Sequence, residues 1–173
     1  MAKRNRQAGS AILEFALCGI PLIFAWISTV QMSLGMWHYH TLQYATKAAG
    51  AYMSTHGANY VSAGNTAPQI KDIATVLANQ ALGIPASGVT VLFTAYKSDG
   101  VTSTTHSCTL SSCQTDSTTW PPTTGGYNSV GNAVEIKTEY LWQNSIAMVA
   151  PGHGSVNFSA FWLPGFTHQV ILF

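Results

Sequence analysis

Residues 11–37 form one apolar run in which Glu14 is the only formally charged side chain. At about 1.5 Å per residue the run makes roughly 40 Å of helix, more than the roughly 30 Å of a bilayer's hydrocarbon core. The pattern predicts a membrane-spanning helix over residues 10–37. Pro21 lacks an amide donor and crowds the carbonyl of Leu17, with Gly19 close by, which predicts a kink or a loosened turn. Past the span, Leu42, Ala45, Ala49 and Tyr52 or Met53 recur at three- and four-residue spacing, with Thr46, Lys47, Ser54 and Thr55 between them. That is an amphipathic continuation of the same helix. Gly57 is its expected terminator, giving one rod of roughly 70 Å over residues 11–56.

A second helix follows a Gly/Asn/Thr linker. Thr66 is its expected N-cap, Pro68 falls in its first turn, and Ile70, Ile73, Leu77, Ala81 and Leu82 trace an apolar stripe ended by Gly83 and Pro85. The period then changes to two. Val89, Val91 and Phe93 alternate with Thr90, Leu92 and Thr94 in one strand; Val134, Ile136, Thr138 and Tyr140 alternate with Glu135, Lys137 and Glu139 in another. Val156, Phe158 and Ala160 open a third strand, and after an expected turn at Leu163-Pro164-Gly165 the terminal residues 169–173 suit a fourth. The fold class is therefore α+β: a long N-terminal helix, a second helix and a small antiparallel sheet of three to four strands. Residues 97–132, rich in Ser and Thr, are too long for a hairpin loop and read as a functional or poorly ordered insertion in the external domain, residues 38–173.

Charge sets the orientation. Lys3, Arg4 and Arg6 precede the span and the next cation is Lys47, so the positive-inside rule places the N-terminus in the cytoplasm and residues 38–173 outside. The basic leader and apolar run resemble a secretory signal, but no small-residue cleavage site follows directly, so the span is expected to stay. In the oxidising compartment beyond it, Cys108 and Cys113, five residues apart, read as a disulfide, while Cys18 lies in the span. A net charge of +1 and a charged fraction of 8% argue against a nucleic-acid partner.

Catalytic chemistry finds little purchase. His38 and His40 are two apart on a helix and point to nearly opposite faces, so they cannot share a metal; beside Trp37 and Tyr39 they suit a membrane interface. His106 with Cys108 and Cys113 offers three zinc-type ligands without a fourth, and a disulfide is the better use of the two sulfurs. Residues 151–155 hold glycines but no following lysine, so they make a turn and not a phosphate loop. Asp72, Asp99 and Asp116 are isolated from one another in sequence. Neither an enzyme nor a resident cofactor or metal is expected. Trp120 and Tyr127, in the Ser/Thr-rich insertion, could instead present a recognition surface, with Trp120 folded back as a lid on the sheet as the alternative.

Gly9-Ser10-Ala11-Ile12-Leu13-Glu14-Phe15-Ala16-Leu17, followed by Ile20-Pro21-Leu22-Ile23 and then Ala45-Thr46-Lys47-Ala48-Ala49-Gly50-Ala51, resembles the N-terminal region of TadE-like pseudopilins of the tight-adherence (Tad) pilus. The resemblance implies cleavage of the leader, residues 1–9, between Gly9 and Ser10 by a prepilin peptidase that needs a small, extended residue there. Glu14 then stands fifth in the mature chain. It also implies subunit assembly through Glu14 and Phe15, with Glu14 meeting the Ser10 ammonium of a neighbour. Phe15, where the major pilins more often have Tyr, and the large outer domain imply a minor subunit. The implied partners are the peptidase, other pilins and pseudopilins, an inner-membrane assembly platform and the membrane. The implied place is a single pass of a bacterial inner membrane with a periplasmic outer domain, extracellular once in a pilus. A role at the tip or in priming, supporting adhesion, follows from the same likeness. An uncleaved signal anchor with a periplasmic recognition domain, or a pseudopilin of a type II secretion-like system, are the other readings.

Overall fold

The computed structural model describes the backbone of residues 7–143, 152–153, 156–157 and 160–173, and the side chains of residues 12–143 and 160–173. Lys3, Arg4 and Arg6 of the leader lie outside the described residues, as do Gly154, Ser155 and Phe158. The chain divides into two compact units, Met1–Met36 with Gln143–Ala160, and Trp37–Trp142 with Phe161–Phe173.

In the first unit helix α1 begins. It runs Gln7–Thr55 and continues as helix through Pro21. Hydroxyls that would be costly in lipid are folded back on the helix: Ser28 Oγ donates to Phe24 O (2.8 Å), Thr29 Oγ1 to Ala25 O (2.9 Å) and Ser33 Oγ to Thr29 O (2.9 Å). An internally satisfied hydroxyl asks nothing of its surroundings, which is what a hydrocarbon environment demands. Strands β4 (Gly152–His153) and β5 (Val156–Asn157) pair antiparallel; the turn expected over residues 151–155 falls partly on Pro151, Gly154 and Ser155, outside the described residues.

The second unit takes the remainder of α1, then α2 (Ala58–Ser62), α3 (Ile70–Gln80), a 3₁₀ turn (Ala86–Gly88), β1 (Val89–Tyr96), β2 (Ser103–Thr109), α4 (Leu110–Cys113), β3 (Ala133–Gln143) and β6 (Ala160–Val170). The four long strands form an antiparallel sheet in the order β2-β1-β3-β6. Phe93 at the centre of β1 pairs with His106 on one side and Ile136 on the other. Alternation decides which face is buried: Val89, Val91, Phe93, Val134 and Ile136 are fully buried, in one cluster with Leu42, Ala45, Ala49 and Met53 of α1 and Ile70, Ile73, Ala74 and Leu77 of α3.

Four expectations need correction. Helix α3 is capped by Gln69, not Thr66, because the Asp72 carboxylate accepts from the Gln69 amide at 2.9 Å and holds that residue extended; Pro68 therefore precedes the helix. Leu82 lies past the end of α3 and is 64% exposed, so it leaves the apolar stripe. The 97–132 insertion contributes a full strand, β2, whose sequence Ser-Thr-Thr-His-Ser-Cys-Thr carries no apolar alternation. Finally, Leu163-Pro164-Gly165 is not a turn but the middle of β6, and residues 171–173 fall outside the strand. Strand β6 is a sheet edge, where a missing proline donor leaves no ladder bond unmade.

Candidate assembly site: the apolar helix and its seat on the sheet

In the first unit most of α1's apolar surface is exposed. Ile12, Phe15, Leu17, Trp26 and Met32 are 69–77% exposed, and Glu14 is exposed among them. A helix apolar on every side has no stable place in water, and α1 has the length and hydropathy to cross a membrane. It fits a single-pass membrane protein. Gly19 leaves room for the Phe15 ring, whose edge lies 3.4 Å from where a Cβ would stand. Cys18 is a free, exposed thiol. The backbone at Gly9 and Ser10 is helical, where an extended scissile bond was expected.

In the second unit, residues 42–50 of α1 sit against β6, and Gly57 beyond the helix sits against residues 171–173, at distances only glycine permits. A Cβ on Gly165 would strike Thr138 Oγ1 and come within 2.6 Å of Thr46 Oγ1 and 3.4 Å of Leu42. One on Gly50 would meet the Thr167 side chain at 2.5 Å, and one on Gly57 would strike Ile171 and the Phe173 carbonyl. Thr46 and Thr138 share a buried hydroxyl bond of 2.8 Å, and Thr46 also donates to Leu42 O. Gln43 bridges to the edge strand, its Nε2 donating to Pro164 O (3.0 Å) and its Oε1 accepting from Phe166 N (3.4 Å). The carboxyl-terminal end is tied down as Leu172 N donates to Ser54 O (2.8 Å) and Ile171 N to Asn132 O (2.8 Å). The stretch Ala45-Thr46-Lys47-Ala48-Ala49-Gly50 is thus small on the face that meets the sheet, while Lys47 is exposed.

The insertion is structural through much of its length. Cys108 at the end of β2 and Cys113 at the end of α4 are joined by a disulfide, with Cα atoms 5.6 Å apart. His106 Nε2 and Asp116 Oδ2 approach to 2.8 Å. Hydrogen bonds from the Thr118 hydroxyl and amide, then the neighbouring His106, hold the Asp116 carboxyl below the usual carboxylate range. The carbonyls of Asp116 and Thr118 accept from the Lys71 and Ile70 amides, two donors at the start of α3 that have no partner within the helix. Trp120 is 2% exposed, its ring beside Phe93 and His106. The expectation that Trp120 offers a recognition surface is corrected: it closes the core, the lid-like alternative. Tyr127 is half-buried against that core, with Lys97 Nζ 5.1 Å from its ring centroid.

Each aspartate outside the span has a structural partner. Asp72 caps α3, Asp116 meets His106, and Asp99 accepts from the Val101 and Thr102 amides in the β1–β2 turn, which lowers its own pKa mainly through the Thr102 hydroxyl. A cleft of about 420 Å³ is lined by Tyr96, Lys97, Glu135 and His168, among others. Glu135 sits 3.1 Å from Lys137 Nζ, and its other oxygen lies 3.6 Å from His168 Nδ1. Among the described residues no group of three or more His, Cys, Asp or Glu could hold a metal ion. His38 accepts from Trp142 Nε1 at 3.2 Å, a packing role that the reading of Trp37–His40 as interface residues did not anticipate.

No curated protein and no solved structure shows a significant match to the chain. A family model does match, over residues 9–50, and its description is TadE-like protein. The matched segment runs from the glycine before Ser10, through the exposed apolar surface of α1, to Gly50 at the contact with Thr167. The chain carries a TadE-like N-terminal segment, and that likeness connects it with Tad pili.

Proposed function

We propose that the protein is a bitopic minor pseudopilin of a Tad-type pilus, cut by a prepilin peptidase between Gly9 and Ser10 and assembled through the exposed face of α1. The observation that carries the reading is the combination, inside the TadE-like match, of an apolar helix segment exposed over most of its length with a single carboxylate, Glu14. In lipid a carboxylate at mid-membrane costs about 2.5–3.5 kcal/mol and less near an end, so it gains from a partner. Cleavage removes the leader's cations and creates an ammonium at Ser10, and a neighbouring subunit then supplies that partner. The helix N-terminal dipole favours the same carboxylate. The protein acts by packing and not by catalysis.

Co-expression with a Tad prepilin peptidase and sequencing of the mature N-terminus tests the reading. The expected product begins at Ser10. An intact N-terminus, with control pilins cut, would leave an uncleaved signal anchor instead. Glu14→Ala is expected to be cut normally and to enter pili at a fraction of the wild-type level; entry at the wild-type level would remove the pairing role. Immunogold labelling of sheared pili distinguishes tip, shaft and membrane positions.

A further inference from the structure

The second unit exposes a group of large apolar side chains at the end where α1 enters it. Trp37 is 49% exposed, and its ring fills the space above Gly83, beside Leu82 at 64%. His38, the next residue of α1, accepts from Trp142 Nε1. The Trp142 ring centroid lies 5.5 Å from that of Phe161, which is 48% exposed, and next to it Trp162 is 58% exposed. Trp37 and Phe161 are thereby linked through His38 and Trp142 in one packed chain; Leu82 precedes Gly83 beneath the Trp37 ring, and Trp162, next after Phe161 in the strand, stands at the same end of the sheet on its other face. Sequence spacing gives no hint that the start of β6 belongs with Trp37.

We infer that Trp37, Leu82, Phe161 and Trp162 form a rim that rests in the headgroup layer of the bilayer which α1 crosses. The occupant is argued from continuity and length. Trp37 follows directly on the exposed apolar run that ends at Met36. From Glu14 to Trp37 the helix rises roughly 35 Å at 1.5 Å per residue, so with Glu14 at one interface Trp37 emerges in the other. Indole and phenyl rings prefer that layer, where the apolar body is sheltered and the polar edge stays wet. The first exposed cation beyond the rim, Lys47, stands roughly 15 Å further along α1, clear of the hydrocarbon. This inference rests on the reading of α1 as a membrane span and adds strand residues of the outer unit to the bilayer contact.

Full-length protein in phosphatidylcholine/phosphatidylglycerol vesicles tests it, with lipids brominated near the headgroup or deep in the acyl chain. Single-tryptophan variants retain Trp162, Trp26 or Trp120, the others being changed to Phe. Trp162 is expected to be quenched by shallow bromines at least about twofold more than by deep ones, the signature of an interfacial ring. Trp26 should show the reverse, and buried Trp120 should resist both. Trp162 unquenched while Trp26 responds to deep bromines would overturn the rim and leave the span standing; an unquenched Trp26 would overturn the span itself. Shielding of Trp162 that appears only at high protein-to-lipid ratio would assign the surface to a second copy and also overturn the inference. The unsubstituted chain labelled with 5-fluorotryptophan, its Trp162 resonance broadened by a headgroup-bound gadolinium lipid, gives the same answer without altering the core.

Discussion

Gly165→Ala should cost the outer unit more than its single methyl suggests. The added Cβ would strike Thr138 Oγ1, come within 2.6 Å of Thr46 Oγ1 and touch Leu42, so helix α1 and strand β6 must separate or the two threonines must turn. Overpacking of a filled core costs about 1–3 kcal/mol, and loss of the buried 2.8 Å Thr46–Thr138 bond adds about 1 kcal/mol. The sum is about 2–4 kcal/mol, which for a unit of this size lowers Tm by roughly 6–16 °C. The assay is thermal unfolding of the full-length chain in detergent, followed by near-ultraviolet circular dichroism, since the packed Trp120 and Trp142 report the outer unit. A double-mutant cycle isolates the cause. Thr138→Ala removes the struck atom and leaves Thr46 its bond to Leu42 O, so Gly165→Ala should cost at least about 1 kcal/mol less in that background. Equal cost in both backgrounds, or a Tm within about 2 °C of wild type for the single variant, would refute glycine-mediated packing of α1 on β6.

Trp120→Ala should destabilise the outer unit by about 3–5 kcal/mol, read in the same unfolding assay; for the same reason deletion of residues 97–132, which removes β2 and Trp120 together, should abolish folding and not merely attachment. Opening the Cys108–Cys113 bond by a Cys108→Ala/Cys113→Ala pair should cost about 2 kcal/mol from its short ring, and increase amide exchange first in α4 and the start of α3. Because Asp116 is held below its ordinary pKa of 3.8, the folded state binds fewer protons than the unfolded one, so its contribution is present above that value and lost as pH falls through and below it. An acid titration of Tm should therefore be less steep below pH 4 in Asp116→Asn than in wild type; parallel curves would show that the carboxylate does not matter.

How much of this was legible depends on whether a residue's role is local. The stripe Leu42, Ala45, Ala49 and Met53 and the alternation of Val89, Val91 and Phe93 were readable because burial of one face imposes a period. Strand β2 was not, since an edge strand of Ser, Thr, His and Cys is held by its ladder to β1 and by the disulfide beyond it, neither of which leaves a hydrophobic period. Pro164-Gly165 carries a turn signal that the fold overrules. The strand needs glycine there for the approach of Thr46 and Thr138, and the edge position makes the proline harmless. Trp120 could be read either as exposed or as a lid because its neighbours are polar, yet those neighbours use their carbonyls on the amides of α3, and the ring is buried.

The same distinction bears on the TadE-like segment. Its first part, through Met36, is mostly defined by exposure, so at its exposed positions one large apolar residue should replace another at little cost, while Glu14 is its only formally charged side chain. Its last part, residues 42–50, is defined by size, because Ala45, Thr46, Ala49 and Gly50 fix how closely the sheet approaches. Substitutions in the two parts should fail differently. A leucine at Gly50 should unfold the outer unit while leaving the apolar helix able to enter membranes, whereas Glu14→Ala should leave the outer unit's unfolding unchanged and lower entry into pili. If Gly50→Leu instead left the outer unit's Tm within about 2 °C of wild type, the family match would describe an anchor alone, and the seat on the sheet would be incidental to it.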